Sequence, residues 1–106
     1  MGFTFKENCP DIRNSKVIDV INQLSKHQCI IDVYDPWIKK EDITKGHNLN
    51  YVSIPKEGIY DSIVLAVGHN DFKSMGVKKI RSFGKPKNLI YDLKFLFNKN
   101  ETDLRL

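Results

Sequence analysis

Ser62-Ile63-Val64-Leu65-Ala66-Val67 is the stretch whose reading decides the fold. Ile63 to Val67 is the longest apolar run in the chain, rich in β-branched residues and closed by Gly68. Such an unbroken run, without polar alternation, predicts a strand buried on both faces, the kind a parallel sheet needs when helices cover it. Downstream, Gly68-His69-Asn70-Asp71 supplies a turn and a helix cap, and Phe72 to Met75 opens a helix that Gly76 interrupts. Val77, Ile80 and Phe83 share one side of a second helical piece. Gly84 to Lys87 reads as a loop, and Asn88-Leu89-Ile90-Tyr91-Asp92 as a final buried strand. Beyond Lys94 the pattern weakens, and residues 98–103 are expected to be exposed.

Upstream, Cys29 to Tyr34 reads as a largely buried strand closed by Asp35-Pro36, where the residue before proline is driven out of the helical region. Before it, Val17, Ile18, Ile21 and Leu24 recur at helical spacing behind the cap residues Asn14-Ser15. Trp37 to Asn48 predicts a short helix and a loop, and Tyr51 to Ile54 a brief strand. Gly2 to Phe5 is aromatic and β-prone, so the chain opens on what reads as the tail of a strand, cut at its N-terminus. Strands alternating with helices in this order predict one α/β domain over residues 1–106, with a mostly parallel sheet and right-handed crossovers. Ligands on such sheets gather at the carboxyl ends of the strands. Here those ends are Phe5-Lys6, Tyr34-Asp35, Gly68-His69 and Asp92 to Lys94.

A length of 106 residues with 41% hydrophobic and 28% charged residues fits one hydrophobic core and excludes a disordered tail. No apolar stretch approaches the ~18 residues of a membrane span, and Met1 to Phe5 has neither the basic lead nor the apolar segment of a secretory signal. Cys9 and Cys29 have no metal-type spacing, so a reduced, cytoplasmic chain is expected. The net charge of +4 is local. Five of the 17 basic residues, Lys78, Lys79, Arg81, Lys85 and Lys87, lie between Val77 and Lys87 without an acid, and the other 12 face 13 acids. The strip reads either as a solvated surface or as a phosphate- or nucleic-acid-binding patch.

Several residues at the strand ends can carry chemistry. Lys6 and Arg13 flank a polar loop that leads into a helix, an arrangement suited to an anion; the alternative is an Asp11–Arg13 surface pair. Asp35 stands where a dinucleotide-binding fold keeps a ribose-reading acid, but it serves equally as a turn or cap residue before Trp37. His69 is a candidate base or ligand without a nucleophile close in sequence. Cys9 lies in the candidate anion loop, either as a nucleophile or as an incidental thiol. Lys94, just past the last strand, lies at the same sheet edge as Lys6, and two converging cations suit a pyrophosphate better than a metal. Neither GxGxxG nor GxxxxGK[ST] occurs, which excludes a self-sufficient dinucleotide or nucleoside-triphosphate site.

The stretch from Gly2 through FKENCPDIRNS (residues 5–15) resembles the opening of the third domain of the UDP-glucose/GDP-mannose dehydrogenase family. The resemblance continues, in order, through Val33 to Pro36, Tyr60 to His69, Asp71-Phe72 and Ile90 to Lys94. Within the family it is similar to the bacterial branch acting on UDP-N-acetylhexosamines, including Vi-antigen and O-antigen enzymes. The resemblance implies a Rossmann-like three-layer UDP-binding domain of a larger enzyme. Such an enzyme oxidises the C6 alcohol of a nucleotide sugar to a carboxylate with NAD, and its other domains hold NAD and the catalytic cysteine. It implies further that Phe5, Lys6 and Lys94 face the UDP-sugar, that Arg13 points towards NAD, and that the parent is a homodimer or higher oligomer. No catalytic residue and no metal ligand is implied in this stretch. Cys9 does not match the family's catalytic cysteine, and Lys94 stands where the family often has Arg, giving up a bidentate fork.

Two other classes compete with that reading. A basic nucleic-acid or phosphate-binding module would use Lys78 to Lys87, although Phe83 alone supplies an interleaved aromatic. A signalling-type α/β domain would need a cluster of acids at the strand ends to hold a divalent cation, and the sequence lacks one.

Overall fold

The computed structural model describes residues 1–44 and 49–105. Its elements are α1 (Val17–Lys26), β1 (Asp32–Val33), α2 (Lys40–Thr44), β2 (Asn50–Tyr51), β3 (Tyr60–Leu65), α3 (Asn70–Met75), α4 (Val77–Ser82), β4 (Gly84–Asp92) and β5 (Leu104–Arg105), with a 3-10 turn at Lys99–Glu101. The part of the loop expected at residues 45–48 lies outside the described residues.

All strand pairings are parallel: β1 with β2, β3 with β4, and β4 with β5. Met1 and Gly2 bridge the two ladders. The Gly2 N–H donates to the Tyr34 carbonyl at 2.8 Å, and the Met1 carbonyl accepts from the Ala66 N–H at 2.9 Å. Gly2 has φ +94°, and a Cβ there would come within 2.6 Å of Val67 Cβ, so the slot between the ladders admits only glycine.

The core falls into two clusters. Ile63, Leu65 and Ile90 pack with Phe72 of α3 and Ile80 of α4, whereas Phe3 and Val33 pack with Ile21 of α1 and with Ile38 and Ile43. Val33 belongs to the second cluster, while the adjacent Tyr34 packs against the first. Successive strand side chains point to opposite faces, so the clusters lie on the two faces of the parallel array. This is the α/β architecture expected, with α1 and α2 on one side and α3 and α4 on the other.

The expected strand at residues 2–5 does not form. The Phe3 and Thr4 N–H groups turn away from any ladder and donate to the Asp35 carboxylate at 2.7 and 3.1 Å. The strand expected from Cys29 shortens to Asp32–Val33. Gln28 adopts φ +64°, and the Cys29 N–H still bonds back to Leu24, which leaves Ile30 fully exposed. Gly84 to Lys87, expected as a loop, is the irregular start of β4. Tyr60 pairs with Gly84 but Ser62 pairs with Leu89, so the extra residues of β4 form a bulge that accommodates Pro86. Beyond Lys94, where the sequence pattern weakens, the structure adds β5. The Asp103 carboxylate, which accepts the Ile90 N–H at 2.8 Å and bonds Arg81 at 2.9 Å, holds the last residues beside β4.

Candidate functional site

The carboxyl ends of the strands are organised around Asp35, fully buried behind β1. One of its oxygens, Oδ2, accepts from the Phe3 and Thr4 amides and lies 2.9 Å from His69 Nε2. The other, Oδ1, accepts the Trp37 N–H at 2.8 Å, so the expected turn-capping role is present as one part of a larger one. Burial pushes the carboxyl pKa up, but the bonds from His69, Phe3 and Trp37 outweigh it and hold the group below the ordinary carboxylate value. Asp35 is therefore a carboxylate with both oxygens committed inside the protein.

His69, also fully buried, follows β3 and precedes α3. Its Nδ1 accepts the Asn8 N–H at 2.9 Å, which leaves Nε2 to carry the ring proton towards Asp35 and the Thr4 hydroxyl at 3.2 Å. The ring stacks beneath Trp37 at 5.9 Å and meets the edge of Phe72 at 5.4 Å. Trp37 in turn donates from its indole nitrogen to Asp71 at 2.8 Å. With both nitrogens engaged and no exposure, His69 has no lone pair to offer as a base or a ligand. Its role here is structural.

These bonds hold the loop from Thr4 to Asn8. The Thr4 hydroxyl donates to the Lys6 carbonyl at 2.9 Å, and the Asn8 side-chain oxygen accepts the Asn70 N–H at 2.9 Å. Asn8 sits at φ +56°, a conformation that asparagine tolerates better than most residues. Between the fixed ends, Phe5 and Lys6 project into solvent, Phe5 at 55% exposure. Lys94 is exposed just beyond β4, and its Cβ would lie 3.7 Å from a Cβ placed on Gly68. Lys6 and Lys94 thus flank one turn, Gly68 to Asn70, and among the described residues neither forms an ion pair.

Arg13 lies on the same loop but is occupied. Its guanidinium forks onto Asp11 with two contacts of 3.0 Å, and this pairing holds the Asp11 carboxyl down at about 2, with a smaller contribution from Lys6. Cys9 is half-buried beside this pair. The basic strip is largely neutralised: Lys79 pairs with Glu57, Arg81 with Asp103 and Lys85 with Asp61. Among the described residues no group of three or more His, Cys, Asp or Glu side chains gathers to hold a metal ion. Among the same residues no helix is long and apolar enough to cross a membrane. A cavity of about 60 Å³ opens at the other end of the sheet, between Met1, Asp32, Tyr60 and Phe83.

The structure brings Phe5, Lys6 and Lys94 to one edge and sets Arg13 in a salt bridge beside them. Sequence reasoning missed Thr4 and Asn8 and did not connect Asp35 with His69. The available signal was polarity at strand ends, Asp35 before proline and His69 after Gly68, but nothing in the spacing pairs residues 34 positions apart.

Residues 1–99 match the family model described as "UDP-glucose/GDP-mannose dehydrogenase family, UDP binding domain". The whole chain aligns at 47% identity with a UDP-N-acetyl-D-glucosamine 6-dehydrogenase of Pseudomonas aeruginosa, covering 25% of that protein. It aligns at 48% with one of Salmonella typhi, again covering 25%. Protein CapL of Staphylococcus aureus is 31% identical over 98% of this chain and 24% of its own length. The chain thus spans about a quarter of the length of the curated relatives it matches. No solved structure matches it. With the parallel array and the cation-bearing carboxyl edge in place, the match across almost the whole chain identifies it as a member of the UDP-glucose/GDP-mannose dehydrogenase family, through that family's UDP-binding domain.

Proposed function

We propose that this chain is the nucleotide-sugar-binding domain of a cytoplasmic, NAD-dependent 6-dehydrogenase that oxidises the C6 hydroxyl of a UDP-N-acetylhexosamine to a uronate for surface polysaccharide synthesis. The hexosamine branch is favoured by 47–48% identity to two UDP-N-acetyl-D-glucosamine 6-dehydrogenases, against 27% to a UDP-glucose 6-dehydrogenase of Rhizobium meliloti. The observation that supports the reading is the carboxyl edge itself, where Lys6 and Lys94, neither in an ion pair among the described residues, stand on either side of the Gly68 turn. Two mobile ammonium groups there suit the diphosphate of a UDP-sugar. Phe5, exposed beside Lys6, offers an apolar face to the sugar or base. Arg13 reaches NAD by exchanging Asp11 for a phosphate, a change that an exposed pair permits. NAD, when bound, accepts the hydride. The chain's own residues bind and orient the substrate, while the remaining domains of a homo-oligomeric parent supply the glycine fingerprint and the catalytic cysteine. A nucleic-acid-binding role is disfavoured by the pairing of Lys79, Arg81 and Lys85 with acids.

Thermal melting with UDP tests the proposal. At about 100 times Kd, ligand stabilises a domain by ~2.7 kcal/mol, which raises the melting temperature of a chain this size by about 10 °C or more. Lys6→Ala and Lys94→Ala should each shrink that shift while leaving the ligand-free midpoint in place. An unchanged midpoint at tens of millimolar UDP would count against nucleotide binding by this chain.

A further inference from the structure

We infer that His69 is a positioning residue, which together with Asn8 clamps the Thr4–Asn8 loop so that Phe5 and Lys6 are presented at the carboxyl edge in one shape. The inference rests on the nucleotide-binding reading for what the loop is presented to, but the clamp stands on geometry alone. A loop that carries binding groups ordinarily loses affinity by having to be ordered when ligand arrives. Here the ordering is built into the fold. The Asn8 N–H is fixed by His69 Nδ1 and its side chain by the Asn70 N–H, while the Thr4 amide and hydroxyl are fixed by Asp35 and the Lys6 carbonyl. His69 is the hinge pin of this arrangement. One ring nitrogen holds the far end of the loop and the other faces the carboxylate that holds the near end.

Trp37 and Phe72 pack on the ring, and Asp35 is the charged group that faces it. Trp37 is itself fixed by Asp71 and by the Asp35 carboxylate. Residues from three segments therefore converge on a histidine that has no exposed atom and no chemistry of its own to perform. A histidine meets both demands at once because its two nitrogens, one acceptor and one donor, are separated by a rigid ring.

Two substitutions separate the two bonds. In His69→Gln the side-chain amide reaches the Nε2 position and still donates to Asp35, but nothing accepts the Asn8 N–H. In His69→Asn the side-chain oxygen occupies the Nδ1 position and accepts from Asn8, but the bond to Asp35 is lost. The experiment records amide hydrogen exchange by NMR on the ligand-free chain and UDP affinity by calorimetry on the same samples. His69→Gln is expected to speed exchange at the Asn8 amide about tenfold or more and to weaken UDP binding by a similar factor. His69→Asn is expected to restore most of both, even though it melts lower. Asn8→Gly keeps the positive φ accessible, removes the side-chain bond to Asn70 and lies outside the core. It should loosen the same loop whether or not the buried variants fold. Equal Asn8 protection in wild type and His69→Gln, or no loosening in Asn8→Gly, overturns the clamp. UDP affinity that follows the melting temperature instead of loop protection overturns the positioning role. Failure of the wild-type chain to bind UDP would refute the nucleotide reading, while the exchange data would still decide the clamp.

Discussion

Replacing Asp35 with Asn tests the centre of the site, because the change is isosteric and acts only through charge and hydrogen-bond polarity. The native carboxylate serves four donors: the Phe3 amide at 2.7 Å, the Thr4 amide at 3.1 Å, the Trp37 amide at 2.8 Å and His69 Nε2 at 2.9 Å. An Asn side chain keeps one acceptor oxygen and turns the other into an NH2 group. Its cheaper orientation keeps the oxygen towards Phe3, Thr4 and His69 and sets NH2 against the Trp37 N–H. One charge-assisted bond is then lost at about 1.5–3 kcal/mol, and the three that remain weaken because the acceptor is neutral. The sum is about 3 kcal/mol, or a midpoint lowered by about 12–20 °C for a chain of this length.

The pH dependence carries a second signature. The folded-state pKa of Asp35 lies below the ordinary value of 3.8, so its contribution is fully present above that value and is lost as pH falls through the folded pKa. The gap between wild type and Asp35→Asn should therefore be constant near neutral pH and narrow below about pH 4. Melting curves of both proteins from pH 7 to 3 provide the assay. A midpoint within about 3 °C of wild type at pH 7, or a gap as wide at pH 3 as at pH 7, would refute the assignment of Asp35 as an ionised hub.

Two further predictions address the frame around the site. Gly2→Ala forces a Cβ to within 2.6 Å of Val67 Cβ at φ +94°, and should cost about 2 kcal/mol or more by prising apart the segment that joins the ladders; an unchanged denaturation midpoint would show that the slot is slack. Arg81→Ala removes bonds to Asn88, Glu101 and Asp103, with an expected loss of about 1–2 kcal/mol. It should also raise exchange at the Ile90 N–H, which depends on Asp103, and undisturbed exchange there would mean that β5 is held by something else.

The parts legible in the sequence were those with a repeating or continuous pattern. The run at Ile63 to Val67 marked β3, the helical spacing of Val17, Ile18, Ile21 and Leu24 marked α1, and Gly76 marked the break between α3 and α4. The strand tips were less legible. Ile30 belongs to an apolar run yet is solvent-exposed, because Gln28 sets the chain direction before β1 begins. The first segment misled for another reason. Phe3 and Thr4 have strand-forming side chains, but a carboxylate 32 residues away from Phe3 captured their amides.

The sequence by itself determined the parallel α/β class, the family, and which strand ends would share the edge beside Lys94, whereas Lys6 stands there on a loop and not at the end of a strand. These follow from the burial of side chains on regular backbone, which leaves a periodic trace, and from motifs that lie contiguous in the chain. Only the tertiary structure decided that Arg13 is held by Asp11, that the basic strip is mostly spent on acids, and that His69 joins Asp35 to Asn8. Those outcomes depend on hydrogen bonds and ion pairs made by single polar side chains, some to partners more than 60 residues away. Such pairings have no period, and for all but the local Asp11–Arg13 pair the folded path of the chain brings the partners within reach.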